Sequence, residues 1–281
     1  MLQLPGEVQV LIGKAVRRVL QPFFGKRAYQ NYFEWLHRVA LTGMNYGCGS
    51  DTVSSGERAA LEHIIASLDR TTIPPYILFD VGANRGNYAR LLLDVFGDKG
   101  VVHSFEPSYC TFAALEENLG AQARLFNIGF GECDGVFVLH SNTKNSGLAS
   151  LYDRNLKHFS ISLDQQEEVA IMTLDKFCAS EGIRHIHLLK LDVEGHELRV
   201  LEGAQAMLQA KAITYIQFEF GGCNIDSKTY FRDFYELLTP QYRLFRIVRD
   251  GLHVISAYQE FDEIFTTTNY IAELLPACRF Y

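Results

Sequence analysis

The chain predicts an α/β fold built on a mainly parallel sheet. Three observations carry this expectation: short apolar runs alternate with helical stretches from residue 76 onward, a glycine loop joins the first run to a helix, and acidic residues recur where runs end. With 281 residues, 48% apolar and 21% charged, the chain can bury a sizeable core as one large domain with decoration.

The first seventy residues read as helical pieces. Val8 to Phe24 places Val8, Leu11, Ile12, Ala15, Val16, Val19 and Leu20 near helical spacing with basic residues opposite. Such a stripe suits either an accessory helix packed on the domain or a helix in peripheral contact with a membrane surface or a partner. The turn Gly43-Met44-Asn45-Tyr46-Gly47-Cys48-Gly49 interrupts the pattern, and Gly56 to Leu68 resumes it before Pro74-Pro75. The expected division is a helical extension over residues 1–74 and a ligand-binding sheet domain over 75–281.

After the prolines, strand 76–81, helix 87–96, strand 101–106, helix 108–119 and strand 124–128 form a βαβαβ run, which requires parallel strands with right-handed crossovers. Residues 136–140 add a strand, and Ser141 to Ser150 reads as a loop of the length that often carries function. The alternation resumes with strand 169–172, helix 174–180, strand 186–192, helix 196–208, strand 213–220 and helix 230–238. Strands 242–248 and 252–257 flank Asp250-Gly251, a hairpin signal, so the sheet ends in an antiparallel element.

A formal charge of −7 disfavours nucleic acid as a partner. The six cysteines are scattered without zinc spacing, which fits a reducing, cytoplasmic setting. No run reaches the ~18 apolar residues of a membrane span, and Met1 to Glu7 lacks the charged region and cleavage site of a secretion leader.

The loop Asp80-Val81-Gly82-Ala83-Asn84-Arg85-Gly86-Asn87 is a nucleoside-cofactor signal. A dinucleotide loop reads GxGxxG and aims a helix terminus at pyrophosphate. Here an acid precedes the first glycine and Asn84 replaces the second, which suits a cationic ligand without phosphate. Glu106 lies 26 residues beyond Asp80, about where such folds place the acid that takes both ribose hydroxyls; the alternative is a solvated strand end before Pro107. In Lys190-Leu191-Asp192-Val193-Glu194-Gly195-His196-Glu197, three carboxylates and an imidazole form a proton-handling or metal-binding site if they converge. Otherwise Glu194 and Glu197 serve as helix-dipole partners. Asp192 and His196 are the stronger functional candidates, His196 as general base. Glu219, flanked by bulky apolar residues, needs a partner or a purpose, and Lys190 on the neighbouring strand is one such partner.

Together, Phe79 to Tyr88, Phe105-Glu106-Pro107, Leu189 to Glu197 with Val200-Leu201-Gly203-Ala204, and Gln217-Phe218-Glu219 resemble the FkbM family of S-adenosylmethionine-dependent methyltransferases over roughly residues 75–275. The resemblance implies a Rossmann-like class I methyltransferase fold: a seven-stranded, mainly parallel sheet with one antiparallel strand, helices on both faces, and here an N-terminal helical extension. It implies O-methylation with S-adenosylmethionine as cofactor and S-adenosylhomocysteine as product. Gly82, Ala83 and Gly86 would lie close to the methionyl and ribose parts, Asp80 would act on the ammonium directly or through water, Glu106 would take the ribose hydroxyls, and Asn84, Asn87, Tyr88 and Pro107 would be further cofactor contacts. Asn127, Ile128 and Gly129 would lie near the adenine, with Ser146 and Gly147 as further candidates, and Asp192 near the methionine moiety or the acceptor. His196 is the nominated base, with Asp192, Glu194 and Glu219 positioning it, the acceptor or a divalent metal that nothing in the spacing demands. The acceptor expected is a small molecule or glycan, foremost a sugar hydroxyl, with Tyr152, Arg154, Lys157 and His158 as pocket candidates. A natural-product hydroxyl, a non-catalytic nucleoside binder and, more distantly, a nicotinamide-dependent oxidoreductase are the competing readings. Thr266 to Ala272 and Met44 to Gly47 also match the family without an assigned role.

Overall fold

The computed structural model describes residues 6–48 and 55–276. It divides into two compact units, Met1–Met44 and Asn45–Tyr281. The first holds α1 (Gly6–Leu20) and α2 (Gln30–Gly43), separated by two short 3-10 turns. Gly49 of the expected glycine-rich turn lies outside the described residues.

The second unit opens with α3 (Glu57–Thr71), which buries Ala60, Leu61, Ile64 and Leu68 against the sheet. This helix therefore packs with the domain that was expected to begin at residue 75. Its apolar stripe joins the core on one face of the sheet.

The remaining elements are β1 (Tyr76–Val81), α4 (Asn87–Phe96), β2 (Gly100–Phe105), α5 (Tyr109–Leu119), β3 (Arg124–Phe126), β4 (Gly129–Phe130), β5 (Gly135–Ser141), β6 (Gln165–Met172), α6 (Leu174–Ser180) and β7 (Ile186–Leu191). They continue with α7 (Glu197–Glu202), α8 (Gln205–Gln209), β8 (Ile213–Phe220), α9 (Cys223–Ser227), α10 (Phe231–Leu238), β9 (Tyr242–Val248), β10 (Gly251–Ile255) and β11 (Thr268–Leu274). Eight strands form the main sheet in the order β10-β9-β11-β8-β7-β1-β2-β3, and β4-β6-β5 form a small second sheet.

Along β1, Tyr76 and Leu78 enter the core shared with α3 and α4, while Phe79 and Val81 enter the opposite core with α6, α7 and α10. Both faces are covered, which is why the parallel strands read as continuous apolar runs.

The main sheet has eight strands where seven were expected. β11 runs antiparallel between β8 and β9, and β10 runs antiparallel to β9, so two strands oppose the rest. The expected strand 124–128 stops at Phe126. Asn127 turns the chain by donating its Nδ2 to the carbonyls of Glu106 (2.9 Å) and Pro107 (3.0 Å), and the next strand pairs with β6 instead.

The expected helix 196–208 breaks at Gly203 for an equally local reason. A Cβ on Gly203 would sit 2.0 Å from the carbonyl oxygen of Gly131, so the backbone crossing there demands glycine. Asp175 then caps the resumed helix, accepting from Ala206 N (2.7 Å) and Met207 N (3.0 Å). Gly203→Ala should lower stability by about 1–3 kcal/mol or more through overpacking against rigid backbone. Urea unfolding should show a lower midpoint with an unchanged slope.

Candidate active site

Chain order reverses at β1: β2 and β3 lie on one side of it, β7 and β8 on the other. Ligands of open α/β sheets bind beyond the carboxyl ends of strands at such a reversal. A cavity of about 900 Å³ lies there, lined by Gly82, Ala83 and Asn84 after β1, Glu106 and Pro107 after β2, Asp192 to Glu194 after β7, and Glu219 on β8.

Gly82 has φ +79°, and a Cβ there would meet the Asp192 carbonyl oxygen at 1.8 Å. Only glycine lets the loops after β1 and β7 lie in contact. The loop amides are spent inside the protein. Gly82 N and Ala83 N both donate to Phe105 O (3.0 and 2.9 Å), Gly86 N donates to Ala83 O (2.8 Å), and Asn84 N donates to Glu106 Oε2 (3.0 Å). A loop with these donors occupied has little to offer a pyrophosphate.

Glu106 is buried, its other oxygen accepting from Ser108 N (2.9 Å). Burial pushes its pKa up to about 7 against the pull of the two backbone donors. Asn87 and Tyr88 also line the cavity, as do Gly129, Ser146 and Gly147.

Four expected contacts are not on the cavity wall. Gly86 packs at the start of α4 against Leu115 and Leu119. The side chain of Asn127 is committed to the carbonyls named above, and Ile128 joins the core. Asp80 is fully buried beside Lys190, whose Nζ is 3.7 Å away, and does not itself reach the cavity wall.

Lys190 itself lines the cavity and donates to Asp192 Oδ2 (2.9 Å) under the ring of Tyr88. Burial alone would depress its pKa, but the carboxylates of Asp192, Asp80 and Glu57 outweigh that and hold the ammonium charged. Tyr88 OH donates to Gln217 Oε1 (2.5 Å), Gln217 Nε2 to Glu57 Oε1 (2.8 Å), and Ser55 Oγ to Glu57 Oε2 (3.0 Å). Glu57 was not anticipated as a site residue. In the sequence it reads as an ordinary acid in the first turn of a helix.

In the turn after β7, Glu197 does cap its own loop: it is fully buried and accepts from Val193 N (2.9 Å) and Gly195 N (3.2 Å). Glu194 does not. It has φ +53° and pairs with Arg154, and burial pushes its pKa up to about 8. His196 is buried, with Tyr152 OH 3.0 Å from Nδ1 and Glu132 3.4 Å from Nε2. Burial lowers its pKa to about 4, Glu132 opposing. The ring lines the cavity, its Nδ1 engaged by Tyr152, while Nε2 makes no hydrogen bond among the described residues.

Glu219 is different. It is half-buried on the cavity wall, and among the described residues no hydrogen bond or ion pair holds it. Lys190 sits opposite Gln217 in the β7–β8 register and pairs with Asp192 and Asp80 instead, so the expected Lys190–Glu219 pair is absent. Burial, with the nearby carboxylates of Asp192, Glu194 and Glu197, raises the Glu219 pKa well above the ordinary range.

The far wall is apolar, with Leu148, Leu151, Leu156, Phe159 and Ile161 beside Arg154. Tyr152, Lys157 and His158 do not line it. Phe265 to Thr267 and Asn269 close the rim, and Gly47 N donates to Thr267 O (3.0 Å), which joins the two segments that had no assigned role. Among the described residues, no three His, Cys, Asp or Glu side chains converge as a metal site.

A sequence profile described as the methyltransferase FkbM domain matches residues 80–247, more than half the chain. The chain belongs to the FkbM methyltransferase family. Among curated proteins it is similar to the hexuronic acid methyltransferase AglP of Haloferax volcanii, at 28% identity over 52% of this chain and 56% of that protein. It is also similar to Methyltransferase 1 of Beauveria bassiana, at 26% identity over 45% of this chain and 57% of that one. The chain therefore spans just over half the length of the curated relatives it matches. Among solved structures, a FkbM methyltransferase from Methylobacillus flagellatus KT superposes with a TM-score of 0.42 at 15% identity, covering 75% of this chain and 48% of that one.

In this FkbM-family site, Lys190 balances Asp80, whose two oxygens have no hydrogen-bond donor among the described residues. Lys190→Met should cost about 3–5 kcal/mol by leaving a buried carboxylate without its counter-charge. Adding Asp80→Asn should recover much of that loss in denaturant unfolding.

Proposed function

We propose that the chain is an S-adenosylmethionine-dependent O-methyltransferase acting on a sugar hydroxyl. The observation that carries this reading is the pairing of two chemistries across one cavity. On one side, a glycine loop with its amides already spent lies beside buried Glu106. On the other, Glu219 faces the cavity with no partner among the described residues.

The residues fit this cofactor. Gly82 and Ala83 give a close, uncharged backbone surface, and Glu106 offers remaining lone pairs to ribose hydroxyls. The carboxylates of Asp192 and Glu219 favour a cation over a phosphate. When bound, S-adenosylmethionine supplies an electrophilic methyl group and leaves as a neutral thioether.

Lys190 holds Asp192 at the wall, while Arg154 holds Glu194. Glu219 takes the hydroxyl proton as the acceptor oxygen attacks, and its raised pKa makes it a better base than an ordinary carboxylate. His196 positions this turn through Tyr152. Much of the rate would come from alignment of the two substrates between these walls.

A sugar acceptor is supported by the name of the Haloferax volcanii relative, and the apolar wall suits the C–H face of a sugar ring. Incubation with S-adenosylmethionine and a panel of free and nucleotide-linked sugars should release S-adenosylhomocysteine with at least one of them. Turnover only with non-sugar hydroxyls would overturn the acceptor assignment, and binding without turnover on any hydroxyl would overturn the enzymatic one.

Glu219→Gln should lower kcat by about 10²–10⁴-fold with cofactor affinity retained. A base works deprotonated, so wild-type activity should fall as pH drops through the raised Glu219 pKa, and the variant should lose that limb. An unchanged profile in Glu219→Gln would remove it from the chemistry.

A further inference from the structure

No side chain described in the N-terminal unit is buried. In α1, Leu11, Val16 and Val19 are exposed, and in α2 so are Tyr32, Trp35 and Val39. Both helices are amphipathic: helical spacing puts Tyr32, Trp35, Leu36 and Val39 on one stripe of α2, away from Glu34 and Arg38. Monomeric proteins rarely leave contiguous apolar surface of this kind uncovered.

Charge separates this unit from the rest of the chain. Residues 1–44 carry six Lys and Arg against two Asp and Glu, a net of +4 in a chain whose total is −7, which leaves −11 for the remainder. The basic groups Lys14, Arg17 and Arg18 lie across α1 from its apolar stripe, and Lys26 and Arg27 sit in the connecting turns. Phe23, Phe24, Tyr29, Tyr32, Phe33 and Trp35 crowd the same stretch. Rings with a polar edge, such as those of Tyr and Trp, favour the boundary between water and hydrocarbon.

We propose that the N-terminal unit is an anchor for an anionic lipid surface. Apolar stripes, interfacial aromatics and basic side chains on short helices are the combination that lies in the plane of a bilayer with the charges directed at acidic headgroups. Among the described residues no helix is long and apolar enough to cross a membrane, so the contact is at the surface. A nucleic acid would need the basic groups but not the exposed aliphatic ones. The strongly acidic remainder of the chain would be repelled by the same headgroups, which confines contact to this unit.

Trp35 is the only tryptophan in the chain, so its fluorescence reports on this unit alone. With the full chain, vesicles containing phosphatidylglycerol should shift the emission to shorter wavelength and carry the protein down on sedimentation. Pure phosphatidylcholine vesicles should do so far more weakly. Arg17→Gln with Arg18→Gln should weaken partitioning by about 25-fold, about fivefold for each charge removed. The proposal is overturned by no shift and no sedimentation with acidic vesicles, by equal binding to neutral ones, or by a shift that grows with protein concentration in the absence of lipid. The last result would assign the apolar stripes to a second copy of the chain.

Discussion

The buried ammonium of Lys190 is what allows acidic side chains from three separate elements to meet at the carboxyl edge of the sheet. Asp80 comes from β1, Asp192 from the end of β7 and Glu57 from α3, and each contributes to holding that ammonium charged. Without a cation there, the loops after β1 and β7 would bring two carboxylates together in a low-dielectric site while their backbones touch at Gly82. The geometry of the cavity depends on this neutralisation. Because the ion pairs of Lys190 go to Asp80 and Asp192, it makes none with Glu219 and only partly offsets the burial and neighbouring carboxylates that raise the Glu219 pKa.

The glycine loop illustrates how the same kind of sequence can serve different ligands. In a dinucleotide fold the loop amides point outward to phosphate oxygens. In this chain Phe105 O, Ala83 O and Glu106 absorb them. The acid before Gly82 suggested a cationic ligand, but in the fold Asp80 is buried beside Lys190. The strand-end carboxylates that reach the cavity are those of later strands.

The parallel core was readable because its signals are local: apolar runs bounded by glycine, proline or an acid, with helices of fixed length between them. Helix 87–96 and strand 213–220 coincide with the expected spans. The failures have tertiary causes. Gly203 interrupts a helix only because the Gly131 backbone crosses it, and the strand after Phe126 ends because Asn127 turns back to Glu106 and Pro107. β11 escaped notice because Thr266-Thr267-Thr268-Asn269 leads into it with polar residues, and its place between β8 and β9 is not a neighbour relation that chain order reveals. At the site, residue types were legible and partners were not. His196 has the side chain of a base, but Tyr152, which engages its Nδ1, lies 44 positions away in sequence and meets it only in the fold.

S-adenosylmethionine bound in this cavity would set its ribose against Glu106. Hydroxyl donors favour the ionised carboxylate, so they must lower a pKa that burial has raised to about 7. The most direct measurement is calorimetric titration with S-adenosylhomocysteine across that pH, for the wild type and for Glu106→Gln. Binding should tighten as pH rises through about 7 in the wild type, and in the variant it should be weaker and lose the part of that dependence that Glu106 carries. Equal affinity and equal pH dependence in both proteins, or binding of NADH in preference to S-adenosylhomocysteine, would contradict it.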